Sequence, residues 1–167
     1  MLEETRKVLT MLDRDLYPEC YERLLQAMAS GETPFPVVSD LMECDKPLEL
    51  PSFLLDYITT LYRAEIEAGN DHAMCNLGAH YYAGDRGLEQ DFRKAMELYT
   101  MAVEHGNRQA QENLGYCYYY GRDGKADYEK AFHCFAPRAF DGWPISLYKI
   151  GALSWDSRLY SESGERA

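Results

Sequence analysis

Apolar and polar positions between Arg108 and Tyr120 separate onto two sides of a helix. At about 100° per residue, with Tyr116 set at 0°, Ala110, Cys117, Gly121, Leu114 and Tyr118 fall between about 100° and 200°. Gln109, Glu112, Asn113, Tyr116, Tyr119 and Tyr120 fall within about 60° of zero on the same wheel. The pattern predicts an amphipathic helix with a packing stripe of Ala, Leu and Tyr and an opposite face rich in phenols. Residues 72–83 repeat the stripe through Ala73, Leu77 and Tyr81, with Gly84 at the end. A second helix is predicted after each loop, opening at Asp91 or Asp127, whose carboxylates can accept first-turn N–H groups, and closing at Gly106 or Gly142. Upstream, the periodicity predicts a helix over 19–30 and another from Ser52, with Ser52 as its N-cap. Between them TPFPVVSDLMECDKPLELP, with its prolines, reads as an irregular connector, and strand signals are absent.

The chain repeats itself. NLGAHYYAGDRG from Asn76 aligns with NLGYCYYYGRDG from Asn113 at an offset of 37. Asp91, Lys94, Ala95, Tyr99 and Gly106 find Asp127, Lys130, Ala131, Phe135 and Gly142 at an offset of 36. RAEIEAGN from Arg63 matches TMAVEHGN from Thr100, and Ile150–Gly151 begins a partial further unit. Periods of this size signify stacked supersecondary units. The motif A-x3-LG-x2-Y-x2-G, a glycine-containing loop, then D-x2-KA-x3-Y/F and a closing glycine, resembles the Sel-1-like repeat, a relative of the tetratricopeptide repeat.

That resemblance implies an all-α, right-handed superhelix of antiparallel helix pairs, with units at 71–106 and 107–142 and partial units at each end. Residues 51–167 would form the solenoid, and residues 1–50 an N-terminal helical cap and connector. It also implies scaffold or adaptor roles, with the first helix of each pair lining a concave groove where a partner segment lies. On this chain the groove positions are Asn76 and Tyr82 in one unit, Glu112, Asn113, Tyr116, Tyr119 and Tyr120 in the next, and Trp155 beyond. Each of those tyrosines can equally fill the seam between units with its hydroxyl in water, and each asparagine can bond an adjacent helix. One branch of the family closes its hairpins with a disulfide per repeat. Those positions correspond here to Ile66, Cys75, Val103 and Glu112, so that branch's function does not carry over.

Composition narrows the partner. The net charge is −11, which repels nucleic acid and anionic lipid and favours a neutral or basic protein or peptide. The five cysteines form no CxxC pair and read as reduced, packing thiols, and the acidic N-terminus lacks a leader's apolar run; the expected location is cytoplasmic. Chemistry is not signalled. GDRG and GRDG lack the G-x4-G-K-[ST] spacing of a phosphate loop, the histidines form no HxxxH, and no base stands beside a nucleophile by motif. The expectation is therefore a non-enzymatic interaction module with no cofactor and no metal. The alternatives are a hydrolase-like enzyme using His72, Cys75 or His80 in the same groove, or a segment of a longer scaffold.

Overall fold

The structure, a computed structural model, describes residues 2–11, 14, 18–43, 51–142, 144, 146 and 148–152. Its helices are α1 (Leu2–Met11), α2 (Pro18–Ser30), α3 (Phe35–Glu43), α4 (Ser52–Glu67), α5 (Asp71–Ala83), α6 (Phe92–Glu104), α7 (Arg108–Tyr120) and α8 (Tyr128–Phe140), with further helical turns at 148–152. No strand occurs among the described residues. The fold is an all-α solenoid of antiparallel helix pairs.

The local reasons recur from pair to pair. Asn70 and Asn107 cap α5 and α7, their side-chain oxygens accepting from the N–H groups of Ala73 and Ala110 at 3.2 and 2.8 Å. Asp91 and Asp127 do the same for α6 and α8, accepting from Lys94 and Lys130, each at 3.0 Å. Such caps satisfy N–H groups that a helix start leaves unbonded. Gly84 and Gly121 end α5 and α7 at φ of 69° and 61°, the left-handed region. Each chain then folds back, so that Asp91 N–H donates to Tyr81 at 2.8 Å and Asp127 N–H to Tyr118 at 2.9 Å.

Within each pair the helices meet through a glycine and an aromatic ring. A Cβ on Gly78 would stand 2.8 Å from the Tyr99 ring, and one on Gly115 would stand 2.8 Å from Phe135. Ala95 and Ala131 lie fully buried one turn before those rings. Leu77 and Leu114 are buried, as the packing stripe predicts. The deeply buried aromatic of each unit is nevertheless Tyr99 or Phe135 on the second helix; Tyr81 and Tyr118 are half-buried, with Lys94 and Lys130 lying over their rings at 5.0 and 5.2 Å. Burying one such ring stabilises by about 1.5–3 kcal/mol.

Upstream of Asp71 the structure corrects two expectations and adds a helix that the periodicity did not single out. Phe35–Glu43 of the supposed connector is the helix α3, whose buried Phe35, Val37, Val38 and Met42 supply the apolar face that its prolines obscured. Pro34 precedes it and Pro36 lies in its first turn, where a missing N–H costs nothing. α4 begins after Pro51 with no side-chain cap bond, so Ser52 is its first helical residue rather than its cap. The acidic N-terminus is itself the helix α1, its Val8 and Leu9 buried against the same core as α2, α3 and α4.

α3 lies beside α5 much as α5 lies beside α7. Asn76 Nδ2 donates to Ser39 Oγ at 3.5 Å, and Asn113 Nδ2 to Cys75 Sγ at 3.8 Å. On α4, Tyr62 is fully buried at the place that Tyr99 and Phe135 take in the later pairs, meeting Phe35 edge-on at 5.0 Å. α3 and α4 thus pack ahead of α5 with a buried ring at the register of the later pairs, though they meet more sparsely.

Candidate functional site

The first helices of the pairs carry a ladder of rings and cations across their boundaries. Arg122, just past the end of α7, lays its guanidinium carbon 5.3 Å from the Tyr82 ring centroid, 4.8 Å from Phe92 and 5.4 Å from Tyr120. Its Nε donates to the Tyr82 hydroxyl at 3.0 Å, tying the second hairpin to the first. Tyr82 also meets Phe92 edge-on at 5.2 Å. Beyond Tyr120, Lys149 Nζ stands 5.4 Å from that ring, 4.3 Å from Tyr119 and 5.4 Å from Tyr116. Tyr120 is therefore the wall shared by two cations, each within the ~6 Å over which a ring quadrupole attracts charge.

The predicted groove residues divide accordingly. Tyr82, Tyr119 and Tyr120 gather on this ladder, and Tyr120 is 53% exposed. Tyr116 has one face on Lys149 and an edge on Phe135 at 5.2 Å, so it belongs to both surface and core. Burial pushes its phenol above the usual range; the Glu112 charge adds to this and Lys149 opposes it. Asn76 and Asn113 are half-buried and bond adjacent helices through Ser39 and Cys75.

Glu112 departs from the expectation of a groove carboxylate. It is 7% exposed, and its Oε2 lies 3.4 Å from Nε of the equally buried Arg138. Removing the carboxylate would leave a buried guanidinium without that countercharge, so Glu112 is committed to the α7–α8 hairpin. Trp155 lies outside the described residues.

Three features escaped the sequence reading. Lys94 and Lys130 recur at an offset of 36, and that recurrence was the available signal for their stacking on Tyr81 and Tyr118. The recurring Gly-Asn was a signal too: Asn107, besides capping α7, donates through Nδ2 to Asp71 Oδ2 at 2.8 Å across the repeat boundary. Arg122 had no such signal, because its place in the preceding unit is taken by Asp85, which bonds the His80 ring at 2.8 Å.

The residues named for enzyme chemistry sit poorly for it. Burial raises the thiols of Cys75 and Cys134 to about 11 and that of Cys117 to about 12, away from the thiolate a nucleophile requires. His80 is engaged with Asp85 and buried, while His72 is exposed on another turn of α5. Among the described residues no three or more His, Cys, Asp or Glu side chains are grouped as metal ligands.

Paired helices stacked through glycine–aromatic contacts and tied by an asparagine at each boundary define a helical-repeat protein. The Sel1 repeat family model matches residues 71–107 and 108–136, and the chain belongs to that family. Among solved structures it is similar to a Sel1 repeat protein from Oxalobacter formigenes, at 31% identity over 55% of this chain and 68% of that one, with a TM-score of 0.47. No curated protein matches. Sel1 repeat proteins are generally protein–protein interaction modules and typically lack catalysis. No helix among the described residues is long and apolar enough to cross a membrane.

Proposed function

We propose that this chain is a protein-interaction adaptor that receives a partner segment along the first helices of its pairs. The observation that carries the reading is the cation–ring ladder from Tyr82 to Lys149, which presents half-buried and exposed phenols in one line across adjacent repeats. Tyrosine supplies large contact area at little cost in side-chain freedom and is enriched at interface hot spots. The charge of −11 selects a neutral to basic segment and disfavours nucleic acid and anionic membrane surfaces, and it accords with a cytoplasmic location. No cofactor is required and no catalytic step is assigned. Tyr82, Tyr119 and Tyr120 supply the contact, with Tyr116 behind them, while Asn76 and Asn113 hold the helices that carry the rings against their neighbours.

We read α1 and α2 as the cap that covers the first face of the array, which solenoids need at their ends. On that reading the repeats begin at α3, upstream of residue 51. The test is an affinity measurement on a purified partner obtained by capture on the full chain. Tyr120→Ala should weaken binding about tenfold, the effect of an interface anchor worth ~1.4 kcal/mol, while the melting temperature stays within a few degrees. Unchanged affinity for both Tyr120→Ala and Tyr82→Ala would remove the groove from consideration.

A further inference from the structure

Three tyrosines of α7 make a receptor for an ammonium group, and the chain fills it with its own Lys149. Nζ stands 4.3 to 5.4 Å from the centroids of Tyr116, Tyr119 and Tyr120. Among the described residues no carboxylate forms an ion pair with Lys149. Among the described residues it is the three ring faces that hold this ammonium. The neighbouring niche is built otherwise. There a flat guanidinium is shared by Tyr82, Phe92 and Tyr120 and is fixed by a hydrogen bond to the Tyr82 hydroxyl.

We propose that Tyr116, Tyr119 and Tyr120 receive a lysine side chain of the partner segment, and that Lys149 keeps this place until the partner displaces it. The proposal rests on the groove reading above and names the side chain that the groove recognises. Exchange of one ammonium for another brings no new charge out of water, so the desolvation that usually opposes such binding is largely cancelled. The rings are reachable, since Tyr120 is 53% exposed and Tyr119 half-buried. Lys149 stands on the turns at 148–152, which Ile150 packs onto the Ala131–Phe135 core, so its side chain can swing out while that packing stays. The negative field of the chain draws a lysine-bearing segment towards the site.

The probe is a nonapeptide of Gly, Ser and Ala with one central lysine, and its Nε-acetyl counterpart, titrated into the full chain while the tyrosine ring resonances are followed by NMR. Lys149→Met keeps the aliphatic stem and empties the cage of charge. It should bind the lysine peptide about fivefold more tightly than the unaltered chain, the worth of roughly 1 kcal/mol of resident cation–ring attraction. Adding Tyr119→Ala should abolish that gain, and the acetylated peptide should shift no ring. Far-UV circular dichroism checks that the variants keep their helices, and the Lys149 side-chain resonances of the unaltered chain should move towards free lysine as peptide is added, a readout that needs no variant. Equal or weaker binding by Lys149→Met, or equal binding of the acetylated peptide, overturns the proposal. A native partner that ignores Lys149→Met but is lost with Tyr82→Ala refutes the cage and leaves the groove standing. A peptide that fills the cage in a chain whose partner ignores both Tyr82→Ala and Tyr120→Ala refutes the groove alone.

Discussion

The α3–α4 pair and the two pairs after it place a buried ring at the same register and differ in how closely their helices meet. In α5–α6 and α7–α8 a glycine on the first helix faces a buried ring on the second, and Ala95 or Ala131 sits one turn before that ring. On α4 the corresponding ring is Tyr62, but the position one turn before it is Ile58, fully buried, and the first helix presents Phe35, Val38 and Met42 with no glycine. The later pairs obtain their contact from close backbone approach, the earlier one from filling a wider gap with larger side chains. Both reach a dry interior, and the difference teaches that the repeat motif encodes a distance between helices more than it encodes the fold.

Removing a buried ring should give the largest effect and treat the pairs alike. Phe135→Ala, Tyr99→Ala and Tyr62→Ala should each cost about 3–5 kcal/mol in urea unfolding, since each leaves a cavity at the centre of a hairpin. A loss under about 1 kcal/mol at Tyr62 would mean that α4 is not packed as a repeat helix. Adding volume should then separate the pairs. Gly115→Ala drives a methyl to 2.8 Å from the Phe135 ring and should cost about 1–3 kcal/mol. Ala95→Val should behave the same way, whereas Ile58→Val, at the matching position, loses a methylene and should cost about 0.5–1.5 kcal/mol by the opposite route. If Ala95→Val were tolerated as well as Ile58→Val, the two modes of contact would be one.

The boundary between units gives a smaller effect. Asn107→Ala removes a cap bond and the link to Asp71 together, and should cost about 1–2 kcal/mol of stability. Asn107→Asp keeps the cap acceptor but sets a carboxylate against Asp71, so it should recover only part of the loss.

How much of this was legible follows from the same distance argument. Close approach needs glycine and alanine at fixed places, and these are what made the pairs from Asp71 to Phe140 readable to within two residues, from Gly84 and Gly121 to Asp91 and Asp127. α3 was illegible because its contact tolerates many apolar residues, so it leaves no fixed letter, and its prolines at the first turn mimic a loop. The helical wheel set Tyr116, Tyr119 and Tyr120 on one face, and all three rings do meet Lys149, but it gave angle alone. It could not show that Glu112 is covered by Arg138 of the returning helix, nor that Arg122 and Lys149 come from outside the wheel to lie on the rings. Those facts depend on which elements pack across that face, which periodicity does not contain.

The helix starts carry the contrast to its smallest scale, and they make it depend on pH. Asp91 and Asp127 cap α6 and α8, and their carboxyls are held below the ordinary value of 3.8, first of all by the bonds they accept from the N–H groups of Lys94 and Lys130. A carboxyl whose folded pKa lies below its unfolded one adds stability that is present above the unfolded value and lost as pH falls through the folded one. The contribution should therefore fade below about pH 4. Asp127→Asn keeps an acceptor for the Lys130 N–H but cannot titrate, so its melting temperature, followed from about pH 5 to pH 2, should fall less steeply than that of the unaltered chain. α4 starts at Pro51 without a side-chain cap bond, and Ser52→Ala should leave the acid limb unchanged. Parallel acid limbs for Asp127→Asn and the unaltered chain would show that the cap is carried by geometry alone and that the two kinds of pair do not differ in charge.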